Sequence, residues 1–185
     1  MTPPPGQGLS VRWESADLDL TDLDRANLSV IVRVSAGYLA WGHGSREESE
    51  GAALGGLSWR SRDGRVWQRA VVSGPSGVVA ASSGPLGIIA ISGRDTWWSQ
   101  DGTDWTRGDL ASHEGDPGLW DVAVGREWLS SWGPVVSWMS RDGLRWESVT
   151  GDRMDGSRIY AVDTTAEGFL AVGEEDVAED LDGHS

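Results

Sequence analysis

Trp59-Arg60-Ser61-Arg62-Asp63-Gly64-Arg65-Val66-Trp67 decides the fold, because the same pattern returns twice further along the chain. The second copy is Trp97-Trp98-Ser99-Gln100-Asp101-Gly102-Thr103-Asp104-Trp105, and the third is Trp138-Met139-Ser140-Arg141-Asp142-Gly143-Leu144-Arg145-Trp146. A period of about forty residues marks a repeat architecture, in which one unit cannot bury its apolar faces alone and must stack on its neighbours. Within the motif, Asp-Gly is a hairpin signal: glycine accepts positive φ and the aspartate carboxylate can accept nearby backbone N–H groups. The serine two residues earlier can add a second local bond. The two tryptophans flank the turn on adjacent strands, placed to pack beside each other between units.

A second landmark recurs in phase. Each unit carries an apolar strand closing on glycine: Gly37–Gly42, Gly87–Gly93, Glu127–Gly133 and Gly168–Gly173. From that glycine to the motif aspartate the spacing is eight residues in the second unit, nine in the third and twenty-one in the first. The excess falls in His43–Gly56, a Gly-, Ser- and Glu-rich stretch that predicts a mobile loop between the second and third strands of its blade. Nine residues beyond Gly173 stands Asp182-Gly183, a degenerate fourth motif with Asp180 in the serine position and Ala178 in the tryptophan position. The chain also enters the repeat out of phase. Arg12-Trp13-Glu14-Ser15 repeats Arg145-Trp146-Glu147-Ser148, so the N-terminus supplies the last strand of a unit whose earlier strands lie at the C-terminus.

Short runs of Val, Ile, Trp, Thr and Leu, separated by Gly, Asp-Gly and Ser-Gly, predict strands throughout and no long helix. The third unit divides into strands over Leu119–Val124, Glu127–Trp132, Val135–Ser140 and Leu144–Val149. Four strands in about forty residues is the unit of a propeller blade. The expectation is therefore an all-β chain: a β-propeller of four-stranded antiparallel blades, four repeats in the chain, with the ring closed by the N-terminal strand. Residues 1–9, rich in proline, form a flexible leader, and residues 10–185 form the propeller. Ser10–Leu18 is expected to pair beside Val177–Asp182, either within a monomer or in a strand-exchanged dimer that builds an eight-bladed ring; a part of a larger propeller is the third possibility.

On these residues the chain resembles the Asp-box (BNR) repeat of β-propellers, whose pattern is Ser-x-Asp-x-Gly-x-x-Trp. Here the pattern is one residue shorter between Asp and Gly. With the preceding Gly168-Phe169-Leu170-Ala171-Val172-Gly173 strand, it is similar to repeats of bacterial sialidase-like propellers. The resemblance covers Trp13 to Gly183 and implies that Ser61, Asp63, Gly64, Trp67, Ser99, Asp101, Gly102, Trp105, Ser140, Asp142, Gly143 and Trp146 are structural. It places these turns on the blade periphery, away from the axial pocket. Three equal copies also argue against catalysis, since an active site needs one constellation.

The inner strands of a propeller line its channel, the usual place for a ligand. By position these are Ser29–Val34, Gly77–Ala81, Leu119–Val124 and Arg158–Asp163, whose polar or aromatic members Arg33, Trp120, Asp121, Tyr160 and Asp163 form a candidate axial pocket. A sialidase needs an arginine cluster for the substrate carboxylate, a tyrosine nucleophile paired with glutamate, and an acid. The sequence has two tyrosines, Tyr38 in a core strand and Tyr160 on an inner one, and nothing in it places three arginines with Tyr160. No catalytic residue is assigned. The run Asp17–Asp24 lacks the glycine and the final carboxylate of an EF-hand loop. Glu174-Glu175-Asp176 reads as an acidic solvated edge. His43, His113 and His184 have no ligand spacing and are assigned to exposed loops, so no metal and no cofactor is expected.

The net charge is −14, and all 15 basic residues are arginine. Such a chain is repelled by phosphate backbones, which speaks against nucleic acid and anionic membrane as partners. No stretch is long and apolar enough for membrane insertion, and no signal peptide is visible. As given, the sequence reads as cytoplasmic, or as secreted if an upstream signal has been removed; with no cysteine, compartment is not readable from redox chemistry. The 12 tryptophans compensate for modest hydrophobic content, each burying a large area. The functional expectation is a non-enzymatic binding module for a protein or glycan ligand. The alternatives are a sialidase-like glycoside hydrolase and a truncated or decayed propeller without independent activity.

Overall fold

In the computed structural model the described residues are 13–46, 53–110, 119, 121–126, 129–132, 137–149 and 157–175. They form strands, turns and loops, with no helix among them. The first sheet contains β1 (Asp17–Leu18), β2 (Arg25–Val34), β3 (Gly37–Ser45), β4 (Ala53–Ser61) and β5 (Val66–Ala70), in the order β1-β5-β4-β3-β2. The second contains β6 (Val78–Gly84), β7 (Gly87–Ser92), β8 (Asp95–Ser99) and β9 (Thr106–Arg107) in sequence order. The third is β10 (Asp109–Leu110), β11 (Asp121–Val124), β12 (Leu129–Trp132), β13 (Ser137–Ser140) and β14 (Arg145–Val149), in the order β10-β14-β13-β12-β11. A two-stranded sheet, β15 (Ser157–Thr164) with β16 (Phe169–Glu175), completes the described part.

Consecutive strands within each unit pair antiparallel, as short turns demand. The units pack face to face, and their first strands converge: β2 lies against β6, β6 against β11, and β11 against β15. Period-two alternation gives β3 and β7 two apolar faces. Leu39 and Trp41 of β3 pack with Val32 and Val34 on one face of the first unit, against Ile88 and Ala90 of the second. Ile89 and Ile91, on the other face of β7, pack with Val122, Val124, Trp138 and Trp146 of the third. The second sheet thus contributes one face to the core before it and one to the core after it.

The links between units repeat as well. After the outer strand of one unit the chain crosses to run parallel along the outer strand of the next. Leu110 sits beside Trp146 in this way, Leu18 sits beside Trp67, and a single parallel bridge joins Ser73 to Asp104.

Several expectations are corrected. The two ends of His43–Gly56 are strand rather than loop: β3 runs on through Ser45 and β4 begins at Ala53, with Gly44 paired to Leu54 and Ser45 to Ala53, while residues 47–52 lie outside the described residues. β2 likewise starts at Arg25, and it pairs Asn27 with His43 and Ala26 with Gly44. Packing outweighs composition here, since Gly44 leaves room for Leu23, whose Cδ1 would lie 2.8 Å from a Cβ at that position. His43 is accordingly a strand residue, exposed as expected. In the third unit the described strands are Asp121–Val124, Leu129–Trp132, Ser137–Ser140 and Arg145–Val149; Leu119 and Leu144, read as strand, lie outside them, and residues 120, 127–128 and 135–136 lie outside the described residues. Of the segment Ser10–Leu18, the described pairing is Asp17–Leu18 along Val66–Trp67. Residues 1–12 and 176–185, and with them the leader, the degenerate motif and the closing pair, lie outside the described residues.

Candidate functional site

The three Asp-Gly turns share a core of bonds, most complete in the first and third copies. In the third copy the Ser140 hydroxyl accepts the Gly143 N–H at 2.9 Å and donates to Asp142 Oδ1 at 3.1 Å. Asp142 Oδ1 also accepts the N–H groups of Leu144 and Arg145, each at 2.9 Å, and the Trp146 indole N–H donates to the Gly143 carbonyl at 3.1 Å. The first copy repeats this with Ser61, Asp63, Gly64 and Trp67. In the second, Ser99 accepts from Gly102, Asp101 from Thr103, and Trp105 donates to Gly102. Gly64, Gly102 and Gly143 adopt φ of 79°, 82° and 73°, the left-handed region that glycine enters without strain.

This use of the aspartates has an electrostatic consequence. The Arg145 N–H, with those of Leu144 and the Ser140 hydroxyl, holds the Asp142 carboxyl below its ordinary value against an opposing cost of burial. Asp63 is lowered in the same way, chiefly by the N–H groups of Arg65 and Val66. An acid that must donate a proton needs the opposite shift. Trp67 and Trp146 are buried, while Trp105 is only half-buried, lying edge-on to Trp41 with ring centres 5.6 Å apart.

The candidate axial residues fall into different environments. Asp121 is committed to structure: its carboxylate accepts the N–H of Val122 at 2.9 Å and, across to the next unit, that of Val162 at 3.0 Å. Asp163 is exposed and accepts the Thr164 N–H at 2.7 Å. Asp121, Tyr160 and Asp163 therefore share one neighbourhood around β11 and β15. Arg33 is elsewhere, paired with Tyr38 at the end of β2 and lining a cavity of about 270 Å³ with Ser83, Gly87 and Gln100. Trp120 lies outside the described residues.

A feature not legible in the sequence connects the inner strands. The β2–β3 ladder skips Ser29, the β6–β7 ladder skips Val79, and the β15–β16 ladder skips Tyr160. Ladder alignment shows that these are equivalent sites, each two residues before the one paired with Ala40, Ala90 or Ala171. A bulge turns the extra residue out of the paired row and re-aims its side chain. Val79 is 57% exposed and Tyr160 53%, despite lying on the converging edge of the assembly. Trp120 occupies the equivalent place in the sequence of the third unit. Only the shared spacing to a small residue on the next strand could have signalled this row. A further concavity of about 570 Å³, at the motif-turn end of the first sheet, is lined by Tyr38, Arg60, Arg62, Asp63 and Gln68 among others.

No protein-family profile and no curated protein matches the sequence. Solved structures do. A structure of YCF48 bound to D1 peptide aligns with 82% of this chain and 48% of its own at 11% identity, with a TM-score of 0.52. A glycosyl hydrolase from Bacteroides ovatus aligns with 82% of this chain and 61% of its own at 12% identity, with a TM-score of 0.50. The matched part of the chain thus spans about half to three-fifths of these proteins. The fold is β-propeller-like and all-β.

Proposed function

We propose that the chain is a non-enzymatic β-propeller module of the Asp-box type, and that it takes a protein or glycan ligand over its converging inner strands. In this reading the chain holds four repeat units, the last receiving its outer strand from residues 10–18. The observation that carries the binding proposal is the repeated inner-strand bulge, which displays Val79 and Tyr160 more than half exposed where the units converge. Exposed aromatic and apolar groups on a rigid frame give a ligand buried area at little ordering cost. The peptide in the YCF48 structure supports a protein ligand, and the acidity of this chain favours a neutral or basic one.

The glycoside hydrolase reading draws on the Bacteroides ovatus neighbour. Against it, each motif aspartate is occupied as a turn acceptor, and Asp121 is held between two backbone N–H groups. Peptide and glycan arrays probed with the intact chain test the proposal. A binder that Tyr160→Ala and Val79→Asp each weaken at least tenfold, at unchanged melting temperature, supports it. Turnover of fluorogenic sialosides that is abolished by Tyr160→Phe overturns it in favour of the enzyme.

A further inference from the structure

The concavity of about 570 Å³ at the motif-turn end of the first sheet differs in charge from the rest of the repeat. Strand register fixes the face it uses. Leu39 stands opposite Arg60 and Arg60 opposite Gln68, so all three point to the side of the sheet that meets the second unit. Arg60 reaches across that junction: its Nη2 donates to the Gly102 carbonyl and, at 3.4 Å, to the Thr103 hydroxyl. Arg62 and Gln68 are exposed members of the same lining, and Val34 and Val66 make part of its wall apolar.

The sister units show what is particular here. Trp98 is the counterpart of Arg60, since it stands opposite Ile89 as Arg60 stands opposite Leu39. It also reaches the next motif turn, at Gly143, but as an indole packed on the core whose N–H donates to the Leu86 carbonyl at 3.0 Å. Met139 holds this position in the third unit. Arg62 and Gln68 correspond by spacing to Gln100 and Thr106, and to Arg141 and Glu147. The three positions thus carry two positive charges in the first unit and no net charge in the other two. Arg60 is half-buried with only neutral oxygens as partners, although a guanidinium has five donors and is costly to desolvate without a counter-charge. Among the described residues neither Arg60 nor Arg62 makes an ion pair. Asp63, the acid of the lining, has its Oδ1 committed to the N–H groups of Arg65 and Val66 and to the Ser61 hydroxyl.

We propose that this concavity binds an organic carboxylate. Arg60 and Arg62 take the acid group, for which the planar guanidinium fork is matched in geometry. Gln68 offers an amide donor and acceptor to a neighbouring polar group, and Val34 and Val66 receive a short aliphatic body. The net charge of −14 repels polyanions at long range, so the ligand is a small acid with a single charge. A peptide C-terminus and a sugar acid both present this chemistry. The site goes beyond the ligand reading above, because neither Val79 nor Tyr160 belongs to its lining.

Ligand-observed NMR titration of the intact chain at low salt, where charge is least screened, tests it. The probes are N-acetyl-alanyl-valine and its C-terminal amide, glucuronate and glucose, and inorganic phosphate. At least one of the two acids should bind with a Kd of about 1 mM, and about tenfold more tightly than its neutral counterpart. Which acid binds identifies the source. Arg62→Gln, at an exposed position outside the strand ladder, should weaken that acid about tenfold at unchanged melting temperature. Arg60→Trp installs the second unit's side chain and should abolish binding; if that variant unfolds, Arg62→Gln carries the test. Arg65→Gln, exposed but outside the lining, should leave the affinity unchanged, as should Tyr160→Ala. The proposal is overturned if neither acid binds below about 10 mM, if phosphate binds as tightly as the better acid, or if Arg62→Gln has no effect. Equal weakening by Arg65→Gln would mean diffuse charge, and equal weakening by Tyr160→Ala would move the acid to the inner strands; either result overturns it too.

Discussion

Replacing Trp146 by alanine should remove a large part of the stability of the domain. The indole is 2% exposed and packs in the core between the second and third units. Burial of about 200 Å² at about 25 cal/mol per Å² gives roughly 5 kcal/mol, in line with the 3–5 kcal/mol lost when buried large aromatics are truncated. The same change strips the Gly143 carbonyl of its indole donor, worth about 1 kcal/mol net. Native domains hold only about 5–15 kcal/mol, so the loss is comparable to the whole. Trp146→Phe separates the contributions, since it keeps most of the area and loses the hydrogen bond; it should cost about 1–2 kcal/mol. Urea titrations at fixed protein concentration, followed by tryptophan-independent far-ultraviolet dichroism, give both values. If Trp146→Ala lowers stability by less than about 1 kcal/mol, the indole is not a packing element and the unit-on-unit core is misassigned.

Two further outcomes follow from the turns. Gly143→Ala should cost several kcal/mol, because its Cβ would lie 2.3 Å from Trp98 Cδ1 in a left-handed backbone; Gly93→Ala, with φ of 63° and open space around it, should cost only about 1–2 kcal/mol, and melting curves for the pair compare them directly. The lowered carboxyl of Asp142 makes stability pH-dependent in one direction. Its contribution is fully present well above the ordinary value of 3.8, declines as the pH falls through 3.8 toward the depressed folded value, and is gone below it. Asp142→Asn should therefore flatten the acid side of the melting-temperature profile and leave its slope above pH 6 unchanged.

The hairpin turns were legible in the sequence because their chemistry is local. Ser140, Asp142 and Gly143 complete their bonds within a few residues, so spacing alone gave the turn, its glycine and its acceptor roles. The alternation along β3 and β7 was equally readable, since period two sends Leu39 and Ile89 to one face whatever lies beyond it. The ends of the segment His43–Gly56 misled because composition speaks for solvation, while the extension of β3 through Ser45 depends on Leu23 and Asn27, far away in sequence. Among the candidate pocket residues, identity and position were readable but commitment was not. Asp121 looks like a ligand group until Val162 of the next unit is seen to donate to it. The inner-strand bulges are a matter of register, which pairing between strands sets and residue type does not. By itself, then, the sequence determined what each unit is: its turns, its alternating faces and its period, all fixed by bonds within reach of neighbouring residues. Only the tertiary structure decided which faces are covered, because burying Leu39 while leaving Leu170 exposed depends on the next sheet rather than on the strand itself.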